Sequence, residues 1–398
     1  MVNKMNSRKI RIAFPTSGFM YWNGGLDFLK NLAYAYTGYC QKNNKNVEIY
    51  IILPKSGFIN SLKNVMKKVL GKNVVDEKRV LEYFNDIQGV NYIFSDYDIE
   101  SQAQAAEKVE ADLLLPCFYP IKKSKISWIG YLFDCQHIGL PENFSDAERR
   151  SRNHDFQTMI DHAKALVVNS IDTRYDLQHY FDTRGCEINS FPFCPTLKSS
   201  WKEFIKCERT FNDNYFIVCN QFWKHKNHLT VLKAFVEYCK NGGKSNLVCT
   251  GALEDYRNEG YYRELKEFID LSDYKSRIII TGYIEKSKQI ELLYNSVALI
   301  QPTLFEGGPG GGAVYDAVAL GKHVIMSDIK INLEVEWSKK TYFPKLDSSS
   351  LAKIMTDFET ESVDNRMNFE ELEVRSDKQK DALGSYINKL VLNSLNLK

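Results

Sequence analysis

Between residues 9 and 327 the chain repeatedly sets a short apolar run against a longer segment with helical spacing, with glycine or a polar turn between them. In the first half the runs are Lys9 to Pro15 (KIRIAFP), Val47 to Leu53 (VEIYIIL), Val90 to Phe94, Ala111 to Pro116, Lys125 to Phe133 and Ala165 to Ser170. Helical patterns such as Leu26 to Tyr36, Ser101 to Val109 and Ile171 to Phe181 separate them. A strand, a turn, a helix and a strand read as a βαβ unit, and a chain of such units requires a parallel sheet. About seven units fit this half. Ser145, with Glu148 three residues on, makes a capping box for a long charged helix.

The pattern breaks from Ser190 to Asn214, where Phe191-Pro192-Phe193-Cys194-Pro195 leads into polar residues and reads as a linker. A second alternation follows, with strands at Tyr215 to Cys219, Asn246 to Thr250, Arg277 to Thr281, Val297 to Ile300 and His323 to Ser327. From Ser348 the pattern is helical, and Lys378 to Leu395 carries apolar residues at helical spacing. At 398 residues the chain accommodates two domains of ordinary size. The expected layout is one domain over 1–195, a second over 196–377, and a last helix over about 378–398 that packs back on the first. Two doubly wound halves leave a cleft between them, and ligands of such sheets bind at the carboxyl ends of the strands.

One such end carries the most pointed chemistry. After Val297 to Ile300 come Gln301-Pro302-Thr303, then Leu304 to Asp316, in which five of the six residues from Gly307 to Gly312 are glycine. Glycine loses more backbone freedom on folding than any other residue, so such a run suits a close approach of backbone to a ligand. A glycine loop opening a helix suits an anion such as diphosphate. Glu306 precedes the loop, and Asp316 falls in the first turn of a helix expected over Ala313 to Leu320, so both can face one cleft. The alternative is a flexible surface loop. Lys224 and Lys226 follow the strand Tyr215 to Cys219 and would supply positive charge, or form a solvated pair. Asn23-Gly24-Gly25 follows the first strand, as a close approach to substrate or as a tight turn. His137 sits just past the strand Lys125 to Phe133, where catalytic groups collect; the other six histidines are less well placed.

Composition narrows the classes. The hydrophobic share of 44%, the charged share of 26% and the net charge of +2 suit a globular protein and give no argument for nucleic acid. Nine cysteines are scattered without a CxxC pair and read as reduced core thiols of a cytosolic protein. The polar N-terminus, which enters a strand at once, does not read as a signal peptide, and no apolar run approaches the roughly 20 residues of a membrane span. Membrane contact would be peripheral. Phe58 to Leu70, with Lys63, Lys67 and Lys68, is a basic amphipathic pattern that fits an anionic membrane surface or an ordinary surface helix. No Asp-x-Asp pair or His cluster makes a convincing metal site, and there is neither a Walker loop nor a GxGxxG hydride site.

These residues resemble the retaining GT-B glycosyltransferases, specifically glycosyltransferase family 4. Phe305-Glu306-Gly307, the glycine loop, Asp316-Ala317-Val318-Ala319-Leu320-Gly321-Lys322 and Val324-Ile325-Met326-Ser327-Asp328 are similar to that family's nucleotide-sugar signature. Gly282-Tyr283-Ile284 resembles the segment that meets the base, and Asn220 to Lys226 the diphosphate loop, with Lys226 matching its lysine. Gly24-Gly25 resembles the donor-side glycine loop. Asp134 to His137, with Leu140-Pro141-Glu142, resembles the segment with the active-site histidine. Three departures stand out. Nine residues separate the two acids, two more than is usual; the second acid is Asp316 rather than glutamate; and Gln221 stands where arginine is usual, so that Lys224 is the candidate for that charge.

The resemblance implies an α/β fold of two Rossmann-like domains and transfer of a sugar from a nucleotide donor with retention and without a metal or other cofactor. The expected acceptor is a glycan or lipid-linked glycan of a surface polysaccharide, met in the cytoplasm or peripherally on the inner face of the membrane. On that reading Lys226 stabilises the departing diphosphate, and Glu306 with the backbone of Gly308, Gly310, Gly311 and Gly312 holds sugar hydroxyls. His137 contacts the sugar or the reacting centre, Asp316 holds the ribose, Ile284 meets the base, and Tyr21 and Trp22 lie among the acceptor loops. A nucleotide-sugar epimerase or phosphorylase on the same fold, or a non-catalytic sugar-binding relative, are the alternatives.

Overall fold

The computed structural model describes residues 8–21, 23–55, 82–206, 209–360 and 367–397. The first sheet has seven strands: β1 (Ile10–Pro15), β2 (Val47–Pro54), β3 (Val90–Ser95), β4 (Leu113–Cys117), β5 (Ser127–Leu132), β6 (Ala165–Val168) and β7 (Ile188–Ser190). All pair in parallel, in the order β3-β2-β1-β4-β5-β6-β7. The second has six: β8 (Tyr215–Cys219), β9 (Asn246–Thr250), β10 (Ile278–Gly282), β11 (Leu299–Gln301), β12 (Val324–Ser327) and β13 (Lys340–Phe343). These too are parallel, in the order β10-β9-β8-β11-β12-β13. Strand order therefore reverses between β1 and β4, and again between β8 and β11. Those are the places where loops diverge to opposite faces and leave a crevice.

The apolar runs work because helices cover both faces of each sheet, so successive residues of a strand serve opposite cores. In β1, Ile12 and Phe14 enter one core while Ala13 enters the other. In β8, Phe216 and Val218 face one side; Tyr215, Ile217 and Cys219 face the other. Seven of the eight described cysteines are buried and none is in a disulfide. The capping box forms: Ser145 and Glu148 bond reciprocally at the start of helix Asp146–His162.

Three features differ from the expected layout. β7 and β13, of three and four residues, are too short to show a period, and pairing to longer neighbours makes them strands. The segment read as a linker is largely packed: Phe193, Leu197 and Trp201 lie in the second domain's core, and Trp201 opens a short helix. The last helix starts at Phe369, not Lys378, and runs 26 residues to Ser394. Its Leu372 belongs to the second domain's core, while Leu383, Ile387, Leu390 and Val391 belong to the first's. One continuous helix thus ties both cores together. The segment Phe58 to Leu70 and Trp22 lie outside the described residues. Among the described residues no helix is long and apolar enough to cross a membrane.

Candidate functional site

The crevice between β8 and β11 is built from its floor. Asn220, just past β8, donates from Nδ2 to Gln301 Oε1 at 2.7 Å, and Gln301 ends β11. Gln301 Nε2 then donates to Gly310 O at 2.7 Å and to Glu306 Oε1 at 3.1 Å. A fully committed, buried amide therefore pins the glycine loop to the end of its strand. Asn220 heads the segment that resembles the diphosphate loop, whereas Gln301 carries no motif signal beyond its place at a strand end.

Above this floor lies the pair Lys226 Nζ–Glu306 Oε1 at 2.6 Å, with only 16% and 8% of the two side chains exposed. Lys226 closes a single 3-10 turn, Lys224–Lys226, after which Asn227 takes a left-handed φ of 55° and helix His228–Lys240 begins. Lys224, by contrast, is exposed; its backbone N–H donates to Asp255 Oδ2 at 2.9 Å. Gln221 is exposed as well.

The glycines of the loop differ in what surrounds them. The helix begins at Gly311, not Ala313, and Gly310 and Gly311 have φ of 68° and 67°. At Gly311 a Cβ would stand 2.6 Å from Glu306 Oε2, so the carboxylate lies directly on the helix N-terminus, the place a bound anion takes. Gly307 and Gly308 face the other domain: Cβ atoms there would meet Phe133 O at 2.6 Å and Asn169 Cβ at 3.1 Å. Gly312 has open space. Part of the close approach that the glycines allow is thus to the first domain rather than to a ligand.

Asp316 is the sixth residue of its helix, in the second turn rather than the first, and is paired with Lys286, the first residue of helix Lys286–Asn295. Ile284, half-buried, lies two residues before Lys286 in the loop after β10. Across the cleft, Asp27 of helix Asn23–Lys42 bonds Lys198 and the Tyr83 hydroxyl. Gly24 and Gly25 lie inside the first turn of that helix, Gly25 buried and Gly24 exposed, not in a turn preceding it.

His137 is 2% exposed and turns toward helix Asp146–His162, with Nε2 2.8 Å from Asn153 Oδ1 and its ring edge-on to Phe156. With Asn153 Oδ1 accepting, Nε2 holds the proton and Nδ1 is a bare acceptor without a partner. Burial, helped by Arg152, holds its pKa below the ordinary value, so the ring is neutral at pH 7. Its neighbours reach the second domain instead: Gln136 Oε1 accepts from Arg257 Nη1 at 3.2 Å, and a Cβ on Gly307 would stand 3.0 Å from Asp134 Cβ. Arg257 also stacks on Phe144, 4.4 Å from the ring centre. Glu334 of the second domain accepts from the N–H groups of Ile171 and Asp172, both at 2.7 Å, at the start of helix Ile171–Tyr180. The site brings Glu306, Lys226 and the loop glycines into one cluster and Asp316 onto the same helix. His137 stands on the opposing domain. Among the described residues no three His, Cys, Asp or Glu side chains group to hold a metal ion.

Comparison with known proteins places this geometry. Residues 200–372 match the family of glycosyl transferases group 1. No curated protein is a significant sequence match. Among solved structures, sucrose-phosphate synthase from Thermosynechococcus elongatus superposes with a TM-score of 0.61 at 11% identity, covering 97% of this chain and 99% of that one. Anabaena HepE in complex with UDP and glucose gives 0.56 at 14% identity, covering 97% and 99%. A mutant of S. aureus TarM in complex with Fondaparinux, alpha-GlcNAc-glycerol and UDP gives 0.58 at 11%, covering 97% and 100%. The likeness to the group 1 glycosyl transferases thus lies in residues 200–372, and the two domains together have the GT-B fold.

Proposed function

We propose that the protein transfers a sugar from a nucleotide-sugar donor to a glycan or lipid-linked glycan acceptor, with retention of configuration and without a metal. The observation that carries this reading is the Lys226–Glu306 pair lying on the N-terminus of helix Gly311–Ala319 at the β8/β11 crevice. There a cation and the positive end of a helix dipole converge where a diphosphate would sit. HepE and TarM, with the same fold, were solved with UDP.

In the reaction the bond from the anomeric carbon to the diphosphate oxygen breaks, and the acceptor hydroxyl oxygen forms the new bond on the same face. The hydroxyl proton goes to the leaving phosphate. Lys226 meets charge where it develops. Glu306, displaced from Lys226 by the diphosphate, turns to the sugar hydroxyls. His137, neutral and buried on the opposing domain, meets the donor sugar only by turning from Asn153, and the shut cleft keeps water from the reacting centre. The setting proposed is synthesis of a surface polysaccharide or glycoconjugate at the cytoplasmic side of a membrane.

Incubation with UDP-, GDP- and dTDP-sugars, reading nucleoside diphosphate release and melting temperature, tests this. One donor should be turned over and should raise the melting temperature. If none is hydrolysed, transferred or bound, the reading fails.

A further inference from the structure

A cation stands at the second acid of the site, and the chain's departure at Gln221 draws attention to it. Gln221 and Lys224 are both exposed, so neither adds a buried charge to the crevice. Lys286 does. Its ammonium pairs with Asp316, which lies five residues past Gly311 on the same helix. At 1.5 Å of rise per residue that is about 7.5 Å along the axis from the amide cradle. The pair is therefore displaced from the diphosphate position and stands beside the loop Tyr283–Glu285 that follows β10, since Lys286 is the next residue. Burial works against the charge of Lys286, but the carboxylates of Asp316 and, across the cleft, Asp27 more than restore it, so the ammonium is firmly protonated. The side chain keeps 42% of its surface in solvent.

We infer that Lys286 is a nucleoside-binding residue that acts as a pair with Asp316. The inference rests on the glycosyltransferase reading. An ammonium has three donors and no acceptor; a carboxylate only accepts. Side by side they meet a ribose and base edge that offers hydroxyl donors to Asp316 and hydroxyl or carbonyl oxygens to Lys286. Each charge also satisfies the other while the pocket is empty, so neither is left unpaired in the partly buried crevice. The phosphates remain with Lys226 and the helix N-terminus.

The number of phosphates on the ligand separates the two cations. Binding of UMP and UDP, and of the GMP/GDP and dTMP/dTDP pairs, is measured by calorimetry on the wild type, Lys286→Ala, Lys286→Arg and Lys226→Ala. For the base the wild type prefers, Lys286→Ala should weaken mono- and diphosphate by the same factor, ten-fold or more. The donor KM should rise in step with kcat changed less than two-fold, and Lys286→Arg should recover most of the loss. Lys226→Ala should weaken the diphosphate far more than the monophosphate. Should Lys286→Ala lower the melting temperature, Lys286→Gln, which keeps a donor, is compared in its place. Equal binding by the variant and the wild type overturns the inference, as does a loss confined to the diphosphate. A wild type that binds no nucleotide and turns over no donor overturns the glycosyltransferase reading itself.

Discussion

At the scale of single residues, the proposed donor site is self-filled: Glu306 lies at the helix N-terminus and neutralises the lysine a diphosphate would need. Removing the charge but not the shape, with Glu306→Gln, leaves Lys226 without its counter-charge, and breaking a buried pair costs several kcal/mol. The variant should melt at a lower temperature and bind nucleoside diphosphate several-fold more tightly, while transfer slows at least ten-fold. Calorimetry beside a transfer assay checks it, and weaker diphosphate binding would show that Glu306 does not compete. The loop glycines divide as sharply. Gly311→Ala puts a Cβ into a left-handed backbone, at about 1–2 kcal/mol, and against the Glu306 carboxylate. Gly312→Ala meets nothing within 4 Å and relieves a helix of a poor helix former. Donor kinetics and melting curves should show the first variant impaired and the second near wild type.

At the scale of elements, two long helices meet closely at Gly384. A Cβ there would stand 2.4 Å from Tyr39 Cβ and 2.5 Å from Ala35 O, so the helix Phe369–Ser394 lies directly on the backbone of helix Asn23–Lys42. Gly384→Val should force the two apart and cost about 1–3 kcal/mol, read as a lower melting temperature. Little change would mean that the crossing relaxes freely. The same helix Asn23–Lys42 opens at Gly24 and Gly25 and carries Asp27, so its seating on the last helix also sets one wall of the cleft. The element boundaries were legible to within a residue or two wherever an apolar run was long. β8 and β9 match the expected spans, whereas β7 and β13 had no period to find.

At the scale of the whole molecule, acid should unfold this protein for a definable reason. Burial holds His225 and His228 neutral in the second domain, with both pKa values pushed down to about 3, while the unfolded chain protonates them near 6.5. Between those values the unfolded state carries more protons, so stability falls as pH falls, by up to about 1.4 kcal/mol per pH unit for each ring. Melting temperature measured from pH 7 to pH 5 should drop. His228→Phe, which keeps the stack on Phe222 at 4.1 Å, should make the slope shallower. An unchanged slope would place the acid sensitivity elsewhere. The domains themselves meet through Glu334 on the helix at Ile171 and through Arg257 on Gln136 and Phe144, contacts between residues more than 100 apart in the chain.

That separation explains what could be read from the sequence and what could not. Strand and helix periods, the capping box at Ser145 and the glycine run after a buried strand are local, set by residues a few positions apart. They determined an α/β chain of two parallel-sheet halves and marked Glu306, Asp316 and Lys226 as candidates. Which side chains meet depends on strand order, which brings β8 beside β11 across 80 residues of chain. Only the tertiary structure therefore paired Lys226 with Glu306 and Lys286 with Asp316, seated Gln301 beneath the loop, and turned His137 toward Asn153. The glycines show both levels at once. Their number announced a close approach of backbone, but only the packed domains decided that Gly307 and Gly308 meet protein and Gly311 meets a carboxylate.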